Sequence, residues 1–485
     1  MKLKPVLHLL YSLFISLTLV ALPASATDKN HRIDDFIQQF HDHKQFNGTV
    51  LVSQNGKIIF EKGYGYANFE WSIKNSPETK FRIGSITKQF TAMLIMQLVQ
   101  EGKIKLDSPI TEYIKDYRKD TGDKVTVHHL LTHTSGIPSY PRLSSFRKEV
   151  SRNPYTVDEF TKQFCSNDLE FEPGSQFRYN NSGYFLLGNI IEKVSEKTYE
   201  QVLDEKILKP LGMKNTGYDS TSPILKNRAS GYENNLDGYV NAAYLDMSLP
   251  YAAGSMYSTA RDLMIWDSAL YTEKLLNKKL INKMYQPTAQ RNYGYGWSID
   301  ELPEADFGLK LTNINHGGGI NGFNTYITRI IEDKYLIVLL NNTGGAPLTP
   351  MNKGITNILY NKPYEAPKQR VNRVLYSIIK DKGMDAAIAK YHDMQKEGNT
   401  ISERSLNYFG YELLSMKLIE EAIAIFALNV KNAPNSSNAH DSLAEAYLTN
   451  NNNELALIFY QKSLQLDEGN DNAKEAIKKL RMSLN

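Results

Sequence analysis

Hydrophobic and polar positions change their rhythm several times along the chain. Residues 48–53 and 57–62 are short runs rich in β-formers that flank Gln54, Asn55 and Gly56, and an Asn-Gly pair between two such runs predicts a tight hairpin. Residues 324–331 and 335–340 make a second strand pair around Glu332, Asp333 and Lys334. An amphipathic stretch at 33–40 precedes the first pair, and helical spacing fills the interval between the two pairs. Strands at both ends with helices between them predict an α+β domain over residues 27–360, an antiparallel sheet flanked by helices that unites the beginning and the end of that segment.

Beyond it the texture changes. Pro363 and Pro367 mark a linker over residues 361–370, and residues 371–485 are dominated by helix formers. At an offset of 34 residues this tail matches itself, pairing Gly410 with Ala444, Leu413 with Tyr447, Ala422 with Ala456 and Phe426 with Tyr460. Small residues where two helices touch, with larger ones beside them, are what a tetratricopeptide-type hairpin requires. Pro434 stands at a turn position, and Ala387 with Tyr391 supply a weaker copy one residue out of register. The tail reads as a C-terminal α-helical repeat domain of about three tetratricopeptide-like repeats. An ordinary helical bundle is the alternative, because helical spacing alone generates such matches.

Composition narrows the function classes. The 485 residues include 56 Lys plus Arg against 53 Asp plus Glu, with 41% apolar and 22% charged positions. That is too apolar for a disordered chain. No basic run offers the local charge excess of a phosphate-tracking surface, so nucleic acid is not an expected partner. Cys165, the single cysteine, leaves no internal disulfide and no thiolate metal site, and reads as a small buried thiol. At the start, Lys2 and Lys4 precede an apolar stretch at 5–22 and then Ala24, Ser25 and Ala26, the parts of a cleavable secretory signal over residues 1–26. An uncleaved anchor is the alternative, since the stretch is just long enough to span a bilayer. The expectation is a periplasmic or secreted protein with no membrane span after cleavage.

Candidate chemistry begins at residues 81–90, which introduce a helix running through Met93, Leu94, Leu98 and Val99 to a stop at Gly102. Ser85 and Lys88, three apart, share a face at its first turn. A serine hydroxyl needs a neighbour to take its proton, and a lysine half-buried at the positive end of a helix has the lowered pKa to do so. The spacing alone is weak, because Ser145 with Lys148 and Ser377 with Lys380 share it and read as solvated helix faces. Two later segments, in fixed order after this helix, are more specific: Tyr179, Asn180 and Asn181, then His316, Gly317, Gly318 and Gly319. A phenol can relay a proton, a carboxamide can hold a substrate amide, and glycines let backbone N–H groups approach an oxyanion.

In that order the three elements resemble the serine β-lactamase and penicillin-binding-protein superfamily, in its class C-like branch of β-lactamases, D,D-peptidases, D-aminopeptidases and esterases. The resemblance spans about residues 31–345 and takes in the segments 130–136, 210–213, 253–262 and 293–297. It implies an all-helical domain beside the sheet. It implies Ser85 as nucleophile, Lys88 as its proton partner, Tyr179 and Asn181 as the Y-x-N pair, and His316, Gly317 and Gly318 in place of K-T-G. The backbone N–H groups of Ser85 and Gly319 become the oxyanion donors, and Asn181, Gly317, Gly318 and Gly319 contact substrate. The implied reaction is acylation of Ser85 by the carbonyl of a small peptide, ester or lactam, followed by transfer to water, with no metal or organic cofactor. A lysine in the third motif would carry a full charge, whereas His316 is largely neutral near pH 7 unless a partner raises its pKa. This departure is familiar in the peptidase, aminopeptidase and esterase members. It favours a D-amino-acid peptide or an ester, with a β-lactamase as the alternative, and slow deacylation would trap penicillin as an adduct.

Other chemistries fare worse. His129 and His133 stand four apart, but no glutamate follows His129 as H-E-x-x-H zinc binding requires. No Lys-Ser or Lys-Thr follows the glycine run, so it is not a phosphate cradle, and no G-x-S-x-G elbow occurs. A different class of function is a binding module whose helical repeats present a concave face to a protein partner; the intact Ser85, Lys88, Tyr179 and His316 argue for an enzyme instead.

Overall fold

Asn55 and Gly56 turn the chain with φ of 50° and 72°, the pair of positive values that a two-residue hairpin needs. They fold strand Gly48–Gln54 onto Lys57–Tyr64. The computed structural model describes residues 26–398 and 401–484; the leader read from the sequence lies, up to Ser25, outside the described residues. Among these, no helix is long and apolar enough to cross a membrane.

The main sheet has six strands in the order Ser298–Leu302, Leu311–Ile320, Phe323–Ile330, Tyr335–Asn341, Gly48–Gln54, Lys57–Tyr64. All its pairings are antiparallel. Gly48 stands opposite Asn341 and Gln54 opposite Tyr335, so the seam joins the beginning of the domain to its end. Strand side chains alternate between faces, and here both faces are covered. Leu336, Val338 and Leu340 enter one core while Tyr335, Ile337 and Leu339 enter another. Helices Ala26–Asp42 and Leu348–Leu359 form the smaller layer. They meet closely at Gly354, where a Cβ would stand 2.0 Å from the Phe36 ring.

On the other face lies an all-helical domain around Thr87–Gln100 and Asn181–Ser195. Every residue from Thr87 to Leu98 is buried. A helix apolar on one stripe only would leave a polar face in water; this one is enclosed all round, and Lys88 goes in with it. The helical domain is tied to the sheet by a buried ion pair, Arg329 Nε to Asp267 Oδ1 at 2.5 Å.

After Leu359 the chain runs without regular structure to Val371 and enters seven helices. Helix starts at Glu403, Ser437 and Asp471, and at Ile419 and Asn453, recur every 34 residues. Gly410 and Phe426 touch as the pairing requires, a Cβ on the glycine falling 2.5 Å from the ring. The tail packs against the catalytic part at the hairpin Tyr232–Asn235 with Gly238–Asn241. Its tip residue Leu236 is buried in the tail's first core beside Leu375, Tyr376 and Leu406. Tyr376 Oη donates to Asp237 Oδ1 at 2.6 Å, and Arg373 donates to the Asn235 carbonyl at 2.5 Å.

Candidate active site

Ser85 sits in a 3-10 turn, Gly84–Ile86, that opens directly into the buried helix. Lys88 Nζ lies 3.0 Å from Ser85 Oγ, 2.8 Å from Asn181 Oδ1 and 2.8 Å from the Ala253 carbonyl oxygen. Burial pushes its pKa well below the usual lysine value; it is wholly enclosed, where the sequence suggested half. In its neutral form the amine has two N–H bonds and one lone pair. Asn181 Oδ1 and the Ala253 carbonyl can only accept, so they take both N–H bonds and leave the lone pair facing the Ser85 hydroxyl. That is the arrangement a general base needs.

Tyr179 precedes the helix Asn181–Ser195, whose N-cap is the Asn180 side chain accepting from Gly183 N–H at 2.9 Å. Its ring lies 5.0 Å beneath Lys88 Nζ and 4.3 Å from the His133 ring. Burial raises the phenol's pKa, and the neighbouring Ser85 hydroxyl opposes the rise. The Tyr179 hydroxyl is buried with the Ser85 hydroxyl as its polar neighbour and makes no close hydrogen bond elsewhere in the protein. His316 lies beside it, ring centroids 6.1 Å apart, yet its nitrogens point elsewhere. Nδ1 is 2.6 Å from the Gly317 carbonyl, which can only accept, so Nδ1 carries the proton and Nε2 accepts from Tyr293 Oη at 2.9 Å. Burial first, and then Lys88, push the His316 pKa down to about 4, leaving a neutral imidazole.

The glycines divide their work. Gly84, with φ of 52°, packs on Gly319 so closely that a Cβ would fall 2.9 Å from the Gly319 nitrogen. This sets Gly319 directly against the turn that carries Ser85. Gly318 faces the other way, where a Cβ would stand 2.0 Å from the Ile83 carbonyl and 2.2 Å from Thr325 Oγ1. Thr325 Oγ1 donates to that same carbonyl at 2.8 Å. Ser85, Asn181 and Gly319 line one cleft of about 850 Å³ with Tyr140, Phe146, Tyr244 and Phe323. Among the described residues lining it, the one charged side chain is Glu233.

His129 and His133 each use a ring nitrogen to accept a backbone N–H, from Thr126 at 3.2 Å and Asn180 at 3.1 Å. Lys380 pairs with Asp237 at the surface, away from any serine chemistry. Cys165 is buried, and burial raises its thiol pKa. Three contributors were not legible as such: the Ala253 carbonyl, Tyr293 behind His316, and His133 behind Tyr179. Their segments stand out in the sequence, but no spacing rule links them to Lys88, His316 or Tyr179.

Residues 33–358 match the family described as Beta-lactamase. The chain belongs to the β-lactamase family. Teichoic acid D-alanine hydrolase of Staphylococcus aureus is 29% identical over 343 residues, 70% of this chain and 80% of that protein. The structure of a penicillin-binding protein homologue from Pyrococcus abyssi aligns with TM-score 0.60 and 31% identity, over 72% of this chain and 81% of that one. D-amino acid amidase from Ochrobactrum anthropi aligns with TM-score 0.60 and 26% identity, over 69% and 99%. The protein is a serine hydrolase of the β-lactamase and penicillin-binding-protein superfamily, and the family match ends before the helical tail.

Proposed function

We propose that this protein is an exported hydrolase of D-amino-acid esters or amides that works through an acyl-enzyme on Ser85. Lys88 takes the hydroxyl proton as Ser85 Oγ bonds to the substrate carbonyl carbon, and the amides of Ser85 and Gly319 stabilise the oxyanion. Tyr179 passes a proton to the departing alcohol or amine as the carbonyl bond to it breaks. Water then attacks the Ser85 ester, releasing the acid and restoring the hydroxyl.

The observation that carries the substrate class is charge. Among the described residues lining the cleft there is no lysine or arginine, His316 is neutral, and Glu233 is the charged group. A β-lactam or a D-Ala-D-Ala terminus brings a carboxylate that finds no ionic partner among the described lining residues; an aminoacyl ester or amide brings no carboxylate. The relatives named for teichoic acid D-alanine and for D-amino acid amides support the same reading, and the leader pattern supports export. The helical tail fits tetratricopeptide-like repeats by its 34-residue recurrence.

The test compares D-alanine p-nitroanilide, a D-alanine ester, acetyl-Lys-D-Ala-D-Ala and nitrocefin on one sample. We expect kcat/KM for the D-alanine derivatives to exceed the others by about tenfold or more, the scale of burying the competitors' carboxylate without a charged partner. Ser85→Ala should abolish turnover and labelling by a fluorophosphonate. Labelling that persists in the variant contradicts the nucleophile, and nitrocefin as best substrate contradicts the class.

A further inference from the structure

The helical tail reaches the catalytic cleft. Tyr408, on helix Glu403–Ser415, is 61% exposed and lines the same cavity as Ser85, together with Glu233, Gly344 and Gly345. Its position is built rather than incidental. The hairpin that carries Glu233 drives Leu236 into the tail's core, Arg370 donates to the Gly345 carbonyl, and Asn372 donates at 2.5 Å to Glu412, one turn after Tyr408. Glu233 is fixed as well. Its Oε1 accepts the Gly322 N–H at 3.1 Å, and its Oε2 packs where a Cβ on Gly344 would fall 1.9 Å away.

An open tyrosine face and a carboxylate therefore stand together at one end of the cleft. A ring face attracts cations, and among the described residues Glu233 is the charged side chain lining this space. The guanidinium nearby, Arg370, is tied to the Gly345 carbonyl. Gly322 lies in the turn that joins the strand of Gly319 to its neighbour Phe323–Ile330, so Glu233 stands at the turn end of the strand whose other residues reach Ser85.

We propose that Tyr408 and Glu233 form a distal subsite for an ammonium group carried at the far end of the acyl donor. The substrate is then an extended aminoacyl or peptidyl donor with a terminal amine, and the tail is part of the substrate site. This rests on the Ser85 cleft being that of an aminoacyl hydrolase.

The experiment uses the full chain. Calorimetry on Ser85→Ala, which binds without turnover, compares Gly-Gly-Gly-D-alaninamide with its N-acetyl form. The free amine should bind about tenfold more tightly, and Tyr408→Ala in that background should reduce the preference at least about fivefold, while Tyr408→Phe keeps it. Ile458→Ala, at an exposed position of another tail helix, should change nothing. Equal affinity for the two peptides, or a preference that survives Tyr408→Ala, overturns the subsite. Hydrolysis by the wild type separates the two levels. A calorimetric preference with neither peptide cleaved sinks the hydrolytic reading and leaves the subsite standing; cleavage of both with equal KM does the reverse.

Discussion

Replacing Gly318 or Gly319 by alanine adds one methyl group in either case, and the two should differ by orders of magnitude. At Gly319 the nearest atom to the new Cβ is Asn324 Nδ2 at 3.9 Å, an ordinary contact, and the backbone N–H proposed to hold the oxyanion is kept. At Gly318 the methyl would lie 2.0 Å from the Ile83 carbonyl oxygen, which Thr325 also holds by a hydrogen bond. Relief requires a shift of about 1 Å or more between strand and turn, because real carbon–oxygen contacts lie above about 3 Å. Ile83 precedes Ser85 by two residues, so the shift carries the hydroxyl away from Lys88, now 3.0 Å distant, and from the Gly319 amide. A misplacement of about 1 Å costs about a hundredfold in rate, and overpacking costs about 1–3 kcal/mol of stability. Turnover of p-nitrophenyl acetate, the rate of fluorophosphonate labelling and urea unfolding should all be read on both variants. We expect Gly319→Ala within about threefold of wild type and Gly318→Ala lower by about a hundredfold. Equal activities would show that the strand does not position the nucleophile.

Two further perturbations test the buried charges. His316 has a folded pKa of about 4 against 6.5 when free, so between these values the unfolded chain binds more protons and stability falls as pH drops from 6.5 towards 4, by about 3 kcal/mol in all. His316→Gln should remove that part of the acid limb in urea unfolding at pH 4–7, leaving the same-signed share of the buried His133; an unchanged limb would mean that His316 is not held neutral by burial. Asp267→Asn leaves Arg329, 1% exposed at its side chain, without its counter-charge, and should lower stability by about 3–5 kcal/mol. A loss under about 1 kcal/mol in denaturant titration would argue against that pair as the tie between sheet and helical domain.

How much of the fold and site was legible depends on the locality of the signal. Asn55 with Gly56 determined the first hairpin because turn chemistry is local, and the 324–331 run became strand Phe323–Ile330 because nothing in it competes with an extended backbone. Leu311–Ile320 was not read as a strand: its last half is His316 and glycines, which carry no alternation. The Tyr232–Asn241 hairpin hid for the opposite reason, since Glu233, Asn234, Asn235 and Asp237 read as a polar loop and Leu236 looks apolar without purpose until the tail covers it. At the site, Ser85 and Lys88 were legible through helical spacing. The full enclosure of Lys88 was not, because it depends on neighbours from Tyr179, Tyr184 and Ala253, far away in sequence.

The neutral histidine and the buried lysine belong to one electrostatic design. Lys88 lowers the pKa of His316, and Lys88 and His316 both lower that of His133, so a proton on any one of the three disfavours a proton on the others. The pocket behind Ser85 is then built to hold a single mobile proton. In the proposed reaction that proton comes from the Ser85 hydroxyl, rests on Lys88 at the cost of its desolvation, and is driven towards the leaving group because no neighbour stabilises it where it is. Tyr179, raised in pKa and without a fixed partner, can deliver one proton only as it receives another. A lysine at position 316 would add a permanent positive charge, press the Lys88 pKa lower still, and weaken it as a base. The imidazole avoids that, and in giving up the fixed cation the site also gives up the means to draw a substrate carboxylate. In the proposed function, base strength at Lys88 and preference for uncharged or cationic acyl donors are therefore two consequences of the same residue.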